Sequence, residues 1–301
     1  MSILKPTPTK PDALPSLASM FAREQVFEQV DVSLPPLRGR AAVVQPARQV
    51  VDLSAMARTW LLIGRGGVGK STLARWLAGS LEDRDMLGRT LIAAFDPMNR
   101  TLGYFFDGVQ QPESREPGES AALLRTLVEF AGANRANGVW DFGGGDLALA
   151  SLVDVDRAFD QRLAEHGVGV VACYVLSPSV DDLGVLASFE QRGFQPKATA
   201  LVLNMGRAGG LGEFAALRAQ ASYKSALARG VVEIVMPKLE PLEVALEIER
   251  KRLPFHLVRD ETVKPGSKEQ PVVGINAMMV RHWLRLMDEA FAPVASWLPW
   301  T

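Results

Sequence analysis

The chain has 301 residues, 48% apolar and 22% charged, and its 33 basic against 34 acidic residues leave a formal net charge of −1. That balance excludes disorder throughout and gives no global pull toward nucleic acid or an anionic membrane, so any such binding must come from a local patch. A lone cysteine, Cys173, excludes a disulfide scaffold, a cysteine-ligated iron–sulfur cluster and a structural zinc site within one chain. A reducing, cytoplasmic setting is expected. No apolar run approaches the ~18 residues of a membrane span, and no apolar core follows Lys5 and Lys10 as a secretory signal would require.

Residues 1–57 read as a proline-rich extension. Pro6, Pro8, Pro11, Pro15, Pro35, Pro36 and Pro46 interrupt any regular helix or central strand. Only Leu17 to Val30 has the spacing of a short amphipathic helix, with Met20, Phe21 and Phe27 on its apolar side. From residue 58 to 301 the pattern is that of one domain, in which short apolar runs alternate with segments of helical period. The runs Trp60–Ile63, Leu91–Phe95, Gly138–Trp140, Val168–Val175, Thr199–Leu203 and Val231–Val235 are continuous rather than alternating, which predicts parallel strands covered on both faces. Helical patterns are expected over Lys70–Leu81, Ser120–Ala133, Leu152–His166, Val180–Arg192, Gly212–Ala228, Pro241–Arg252 and a closing Gly274–Leu298. The fold class is therefore α/β, a doubly wound and mostly parallel sheet with helices on both faces.

Directly after the first strand stands Gly64-Arg65-Gly66-Gly67-Val68-Gly69-Lys70-Ser71-Thr72, which matches G-x-x-x-x-G-K-S/T, the loop of P-loop NTPases. Glycines let the backbone N–H groups converge into a concave nest, and the helix beginning at Lys70 adds the positive end of its dipole. Lys70 supplies a mobile cation to the β- and γ-phosphates, and the Ser71 hydroxyl is a Mg²⁺ ligand by type. A strand preceding the loop and an amphipathic helix following it are the context this motif requires.

Such a loop needs a second acid at the end of a nearby strand. Asp141 ends Gly138-Val-Trp140 and opens the glycine-rich turn Gly143-Gly144-Gly145, where a carboxylate faces the Mg²⁺ shell. Asp96 ends Leu91–Phe95 and is placed to position an attacking water. The competing reading of either is a loop aspartate or helix cap, which is the preferred reading for Asp146. His166, His256 and His282 lack metal-site spacing, Cys173 sits within an apolar strand as a core thiol, and Trp140 reads as core.

These residues together resemble the ParA/MinD family of deviant Walker A ATPases. The family's K-G-G-x-G-K-T/S loop is matched by residues 65–72, with Arg65 in place of the signature lysine. Its D-x-D-P strand end is matched by Ala94-Phe95-Asp96-Pro97, with Ala94 in place of the first acid. The glycine triplet after Asp141 resembles the plasmid-borne StbB/TraL-like branch. The resemblance covers roughly residues 58–290 and implies ATP and Mg²⁺ as cofactors. It further implies base contacts from Asn204, Arg207 and Pro237, and an Arg65 that reaches the partner's nucleotide across an ATP-dependent homodimer. The implied function is a dimerisation switch for plasmid partition, or for positioning DNA or a large assembly, driven by an activating or cargo protein. Arg250-Lys251-Arg252 is the densest basic cluster and the candidate for nonspecific DNA binding, with Arg281 and Arg285 one helical turn apart; a solvated helix end is its competing reading. Trp297-Leu-Pro-Trp300 has the composition of an interfacial membrane anchor, but a tail packed on the core is the expected reading. Two other classes share the architecture: an ATP-dependent small-molecule ligase or kinase resembling dethiobiotin synthetase, and a low-turnover ATP-binding scaffold suggested by Ala94.

Overall fold

The computed structural model describes residues 50–301 apart from 97–100, 115 and 146. The prolines of segment 1–49, the helix expected at 17–30, Pro97 and Asp146 lie outside the described residues.

Six strands form one sheet: β1 (Ala57–Ile63), β2 (Thr90–Ala94), β3 (Asn137–Asp141), β4 (Val168–Leu176), β5 (Ala198–Asn204) and β6 (Val232–Met236). Their order is β2-β3-β1-β4-β5-β6, and every neighbouring pair is parallel. The continuous apolar runs have their cause here, since both faces of the sheet are covered. In β1 the two-residue period sends Trp60 and Leu62 into one core layer and Leu61 and Ile63 into the other. The first layer is closed by α1 (Lys70–Glu82), α2 (Thr101–Phe105), α9 (Leu242–Lys251), α10 (Phe255–Arg259) and α11 (Ile275–Phe291). The second is closed by α3 (Pro117–Asn134), α4 (Ala148–Val155), α5 (Phe159–Glu165), α6 (Leu183–Gln191), α7 (Ala215–Ala219) and α8 (Ala221–Arg229).

Four expected helices are divided, that over 180–192 into a 3₁₀ turn at Val180–Asp182 and α6. The pattern over 152–166 belongs to α4 and α5, parted at Asp156, whose side chain accepts from the Ala158 N–H at 3.2 Å and so competes with helical pairing. The pattern over 212–228 becomes a 3₁₀ turn at Leu211–Phe214 and then α7 and α8, separated by an extended Gln220 that lets both Leu217 and Tyr223 reach the core. The closing segment is α11 followed by a 3₁₀ turn from Ala292 to Trp297. The terminal tail packs inward rather than standing free. Trp297 is 1% exposed, donates from Nε1 to the Val51 carbonyl at 2.7 Å, and accepts at its own carbonyl from Trp60 Nε1 at 2.7 Å. Among the described residues no helix is long and apolar enough to cross a membrane. Cys173 and Trp140 are buried core residues, and burial pushes the Cys173 thiol far above its ordinary range, which makes it inert.

Candidate functional site

The central strand β1 delivers the chain to residues 64–69 at the C-terminal edge of the sheet, and α1 starts immediately after. Gly69 caps α1 in the left-handed region (φ 106°), and a Cβ there would stand 2.1 Å from Asn204 Nδ2, so glycine is required twice over. The strand–loop–helix unit, set between two parallel neighbours, with Asp141 ending the adjacent β3 and Asp96 following β2 one strand further out, decides the architecture. The fold is that of a P-loop NTPase.

Lys70 is 6% exposed, with Nζ donating to the carbonyls of Gly64 at 2.9 Å and Arg65 at 2.8 Å. The ammonium thus sits inside its own loop. Burial lowers its pKa, and the negative charges of Asp141, Asp96 and Asp182 counter that shift. Phosphate oxygens are stronger acceptors for a cation than peptide carbonyls, so an arriving polyphosphate can displace these contacts.

Ser71 Oγ donates to Asp141 Oδ2 at 2.7 Å. The other carboxylate oxygen, Asp141 Oδ1, is buried and has no hydrogen-bond partner among the described residues. Burial pushes this carboxyl up to about 6, a rise that Asp96 adds to and that the Ser71 hydrogen bond and the Lys70 charge oppose. An orphaned carboxylate oxygen beside a hydroxyl is a hard donor pair, and it fits Mg²⁺. Asp96 leaves β2 at the same level, because Ala94 and Asp141 are in register and the Phe95 N–H donates to the Asp141 carbonyl at 2.8 Å. Phe95 and Phe142 stack at 4.6 Å, which fixes the two acid-bearing turns against each other. The glycine-rich turn lies on the phosphate loop itself: a Cβ on Gly144 would fall 2.2 Å from the Gly66 nitrogen.

The residues expected from the motif converge on one cavity of about 430 Å³, lined by Gly66, Gly67, Gly69, Lys70, Ser71, Thr72, Asp96, Asp141, Asn204, Arg207 and Pro237. Asn204 is buried and spans two backbones, donating to the Val68 carbonyl at 2.6 Å and accepting from the Gly206 N–H at 2.8 Å. The Arg207 guanidinium lies over the loop, 2.8 Å from where a Gly67 Cβ would be. Gly64 forms the turn out of β1 and Val68 is core, so both shape the loop rather than line the cavity. Arg65 also stands outside it. Its guanidinium lies 3.5 Å from Asp182 and 3.6 Å from Asp181, at the turn after β4 where Ser179 caps Asp181.

The sequence reading missed the far half of the cavity, where Arg75 on α1 faces Ala245 and Glu249 on α9 beside Thr101. The signal was helical spacing. Ser71 and Arg75 are four residues apart and share a face, as do Leu242, Ala245 and Glu249. Burial lowers the Arg75 guanidinium to about 10, opposed by the Glu249 charge, so it remains a cation at neutral pH.

The three residues of the basic cluster border one surface hollow but differ in their contacts. Lys251 pairs with Glu247 at 2.8 Å, while Arg252 lies over the Tyr104 ring at 4.2 Å and Arg250 is exposed. Arg281 pairs with Glu261 and Arg285 with Glu289. Among the described residues no group of three or more His, Cys, Asp or Glu side chains is placed to hold a metal ion.

No family model matches the sequence. A thymidylate kinase from Bordetella petrii is 31% identical over 149 residues, a match covering 50% of this chain and 64% of that kinase, so the chain spans less than two thirds of that relative's length. Among solved structures, the MinC:MinD cell division complex of Aquifex aeolicus has 13% identity, covers 77% of this chain and 96% of that one, and has a TM-score of 0.40. Chloroplast FtsY from Physcomitrella patens has 18% identity, covers 63% and 60% of the two chains, and has a TM-score of 0.38.

Proposed function

We propose that the chain binds ATP at residues 64–72 and hydrolyses it slowly, with nucleotide state controlling self-association. The single observation behind this reading is the Ser71–Asp141 pair beside a loop-bound Lys70, with one carboxylate oxygen left for a cation. Ser71 and Asp141 would hold Mg²⁺, which when bound neutralises phosphate charge and so eases attack on phosphorus. Lys70 and the loop N–H groups orient the triphosphate. Asp96, at the mouth of β2, orients water and accepts its proton as the new oxygen–phosphorus bond forms and the bond from the γ-phosphorus to the bridging oxygen breaks. Asn204, Arg207 and Pro237 form the wall on which the base would rest.

Arg65 is the proposed contact to a partner's phosphates in a face-to-face homodimer, an exchange of carboxylates for phosphate that its half-exposed position permits. Each charge-assisted hydrogen bond lost on hydrolysis contributes ~1.5–3 kcal/mol, so two or three per site suffice to separate subunits. In this reading the switch serves plasmid partition or the positioning of DNA or a large assembly, as in the StbB/TraL-like branch, with an activating or cargo protein and Arg250, Lys251 and Arg252 as the DNA-facing residues. Sedimentation of the protein with ATP, with ADP and without nucleotide tests it, alongside Lys70→Ala and Arg65→Ala. Equal sedimentation of all three states at every concentration would overturn it.

A second reading is phosphoryl transfer to a small acceptor. It is supported by the thymidylate kinase relative and by the continuation of the cavity past the loop toward Arg75. Thymidylate is its first acceptor to test. ATP turnover that requires an added acceptor, and no partner protein or DNA, selects this reading over the first.

A further inference from the structure

We infer that Arg75 forms a second anion-recognition point in the nucleotide cavity, for a small phosphate- or carboxylate-bearing ligand that binds together with the nucleotide. Its placement rests on the reading of residues 64–72 as the nucleotide's phosphate site, and the anion chemistry rests on Arg75 itself.

Arg75 is 5% exposed on α1 and lines the cavity one helical turn beyond Ser71, about 6 Å along the helix axis at 1.5 Å per residue. Its guanidinium is held by faces rather than edges. Cζ lies 3.6 Å from the centre of the Phe105 ring and 4.6 Å from that of Phe255, so α2 and α10 grip the planar group between them. Among the described residues only Nη1 has an ionic partner, Glu249 on α9. Nε and Nη2 are buried and have no hydrogen-bond partner among the described residues. Aromatic faces stabilise the cation but accept nothing at its rim, so two donors in the plane of the group are desolvated and unmet. A planar fork with free donors matches the two oxygens of a carboxylate or phosphate.

A purely structural ion pair accounts for this less well. Glu249 is half exposed, with a side chain 51% accessible, so it neutralises the cation without capping both free donors. Its position at the open end of the pair makes it a counterion that an incoming anion could displace. Thr101, from the start of α2, and Ala245, from α9, line the same cavity as Arg75.

The test uses the full chain with the phosphate loop saturated by a non-hydrolysable ATP analogue and Mg²⁺, so that the loop's own phosphate positions are filled. Inorganic phosphate and succinate are then titrated by calorimetry. Saturable binding of at least one is expected, weakened about tenfold or more in Arg75→Ala, as loss of a charge-assisted pair implies. Because Arg75→Ala removes a buried side chain and can fail to fold, Glu249→Gln provides a second arm. It removes the competing charge from a half-exposed position and is expected to tighten anion binding about threefold to tenfold. No anion binding to either the wild type or Glu249→Gln would overturn the proposal. So would an Arg75→Ala protein that folds, binds the analogue more weakly and binds the anions unchanged, since that places Arg75 on the nucleotide. If the analogue itself does not bind, the nucleotide reading fails alone, and the anion site is read separately in nucleotide-free Lys70→Ala protein.

Discussion

Ser71 donates its hydroxyl hydrogen to Asp141 Oδ2 at 2.7 Å, tying the first turn of α1 to the last residue of β3 while Asp141 Oδ1 stays unpartnered. Asp141 is therefore disfavoured as a bare buried anion and is poised to gain from a cation. Asp141→Asn keeps its volume and removes the charge. Without metal, the variant is expected to be at least as stable as the wild type by urea denaturation near neutral pH, because burial raises the carboxyl pKa to about 6 and so penalises the charged form there. In calorimetry, the Mg²⁺-dependent part of ATP affinity is expected to fall by ~10-fold or more, in the range seen when residues around a metal are altered. Unchanged Mg²⁺ dependence would remove Asp141 from the site.

Gly144 and Gly66 meet backbone to backbone. A Cβ on Gly144 would lie 2.2 Å from the Gly66 nitrogen and 2.6 Å from its Cα, and neither atom can swing aside as a flexible side chain would. Gly144→Ala is expected to part the turn from the phosphate loop, costing about 1–3 kcal/mol by urea denaturation and weakening nucleotide binding as the N–H groups lose their alignment. Gly145→Ala is the control, since nothing lies within 4 Å of its Cβ position. Equal behaviour of the two variants would mean the contact carries no function.

The sheet was legible because burial on both faces writes each strand as an unbroken apolar run; Val168–Val175 differs from β4 by one residue. The loop between β1 and α1 was legible because its positive-φ turns call for glycines at fixed spacing from the helix start. Helix breaks were not, because the interruption at Asp156 comes from a side chain competing for a backbone donor, and no glycine or proline marks it. α2 and α10, five residues each, were missed because so few residues show no helical period. Arg75 was missed because its burial depends on Phe105, Glu249 and Phe255, which only the fold brings to α1. Where Arg65 rests is likewise a tertiary fact, since Asp181 and Asp182 lie more than a hundred residues away.

Arg65 and Asp182 make an ion pair that, in the proposed dimer, nucleotide would displace. Asp182 is 2% exposed and already accepts from both the backbone N–H and the hydroxyl of Ser177 at 2.7 Å, so it does not depend on Arg65 for its partners. An arginine this exposed contributes little to stability through its ion pair. Arg65→Ala is accordingly expected to melt within a degree or two of the wild type and to bind ATP within about threefold, the scale of one exposed pair. It is expected to abolish ATP-dependent self-association in sedimentation, with Arg65→Lys retaining part of it. An Arg65→Ala protein that still associates fully with ATP would remove Arg65 from the dimer contact.

His256 is expected to set an acid limit on the fold. Its ring is 9% exposed on α10, with Nδ1 facing Gly79 of α1, unpartnered among the described residues, and Nε2 lying 3.4 Å from Glu82. Burial lowers its pKa below 6.5; nearby Asp83 and Asp260 oppose that shift, and Arg259 and Lys264 add to it. The folded state then binds fewer protons than the unfolded chain in the window just below pH 6.5, so this contribution is present above that pH and is lost as the pH falls through it. Glu82 Oε2, beside Nε2, is itself buried and without a hydrogen-bond partner among the described residues, burial raises the Glu82 pKa, and it supplies no acceptor at Nδ1. Thermal melts of the wild type at pH 7.5 and 5.5 are expected to show a larger drop than those of His256→Gln, which cannot take up the proton. Parallel drops in the two proteins would assign the acid sensitivity to other groups.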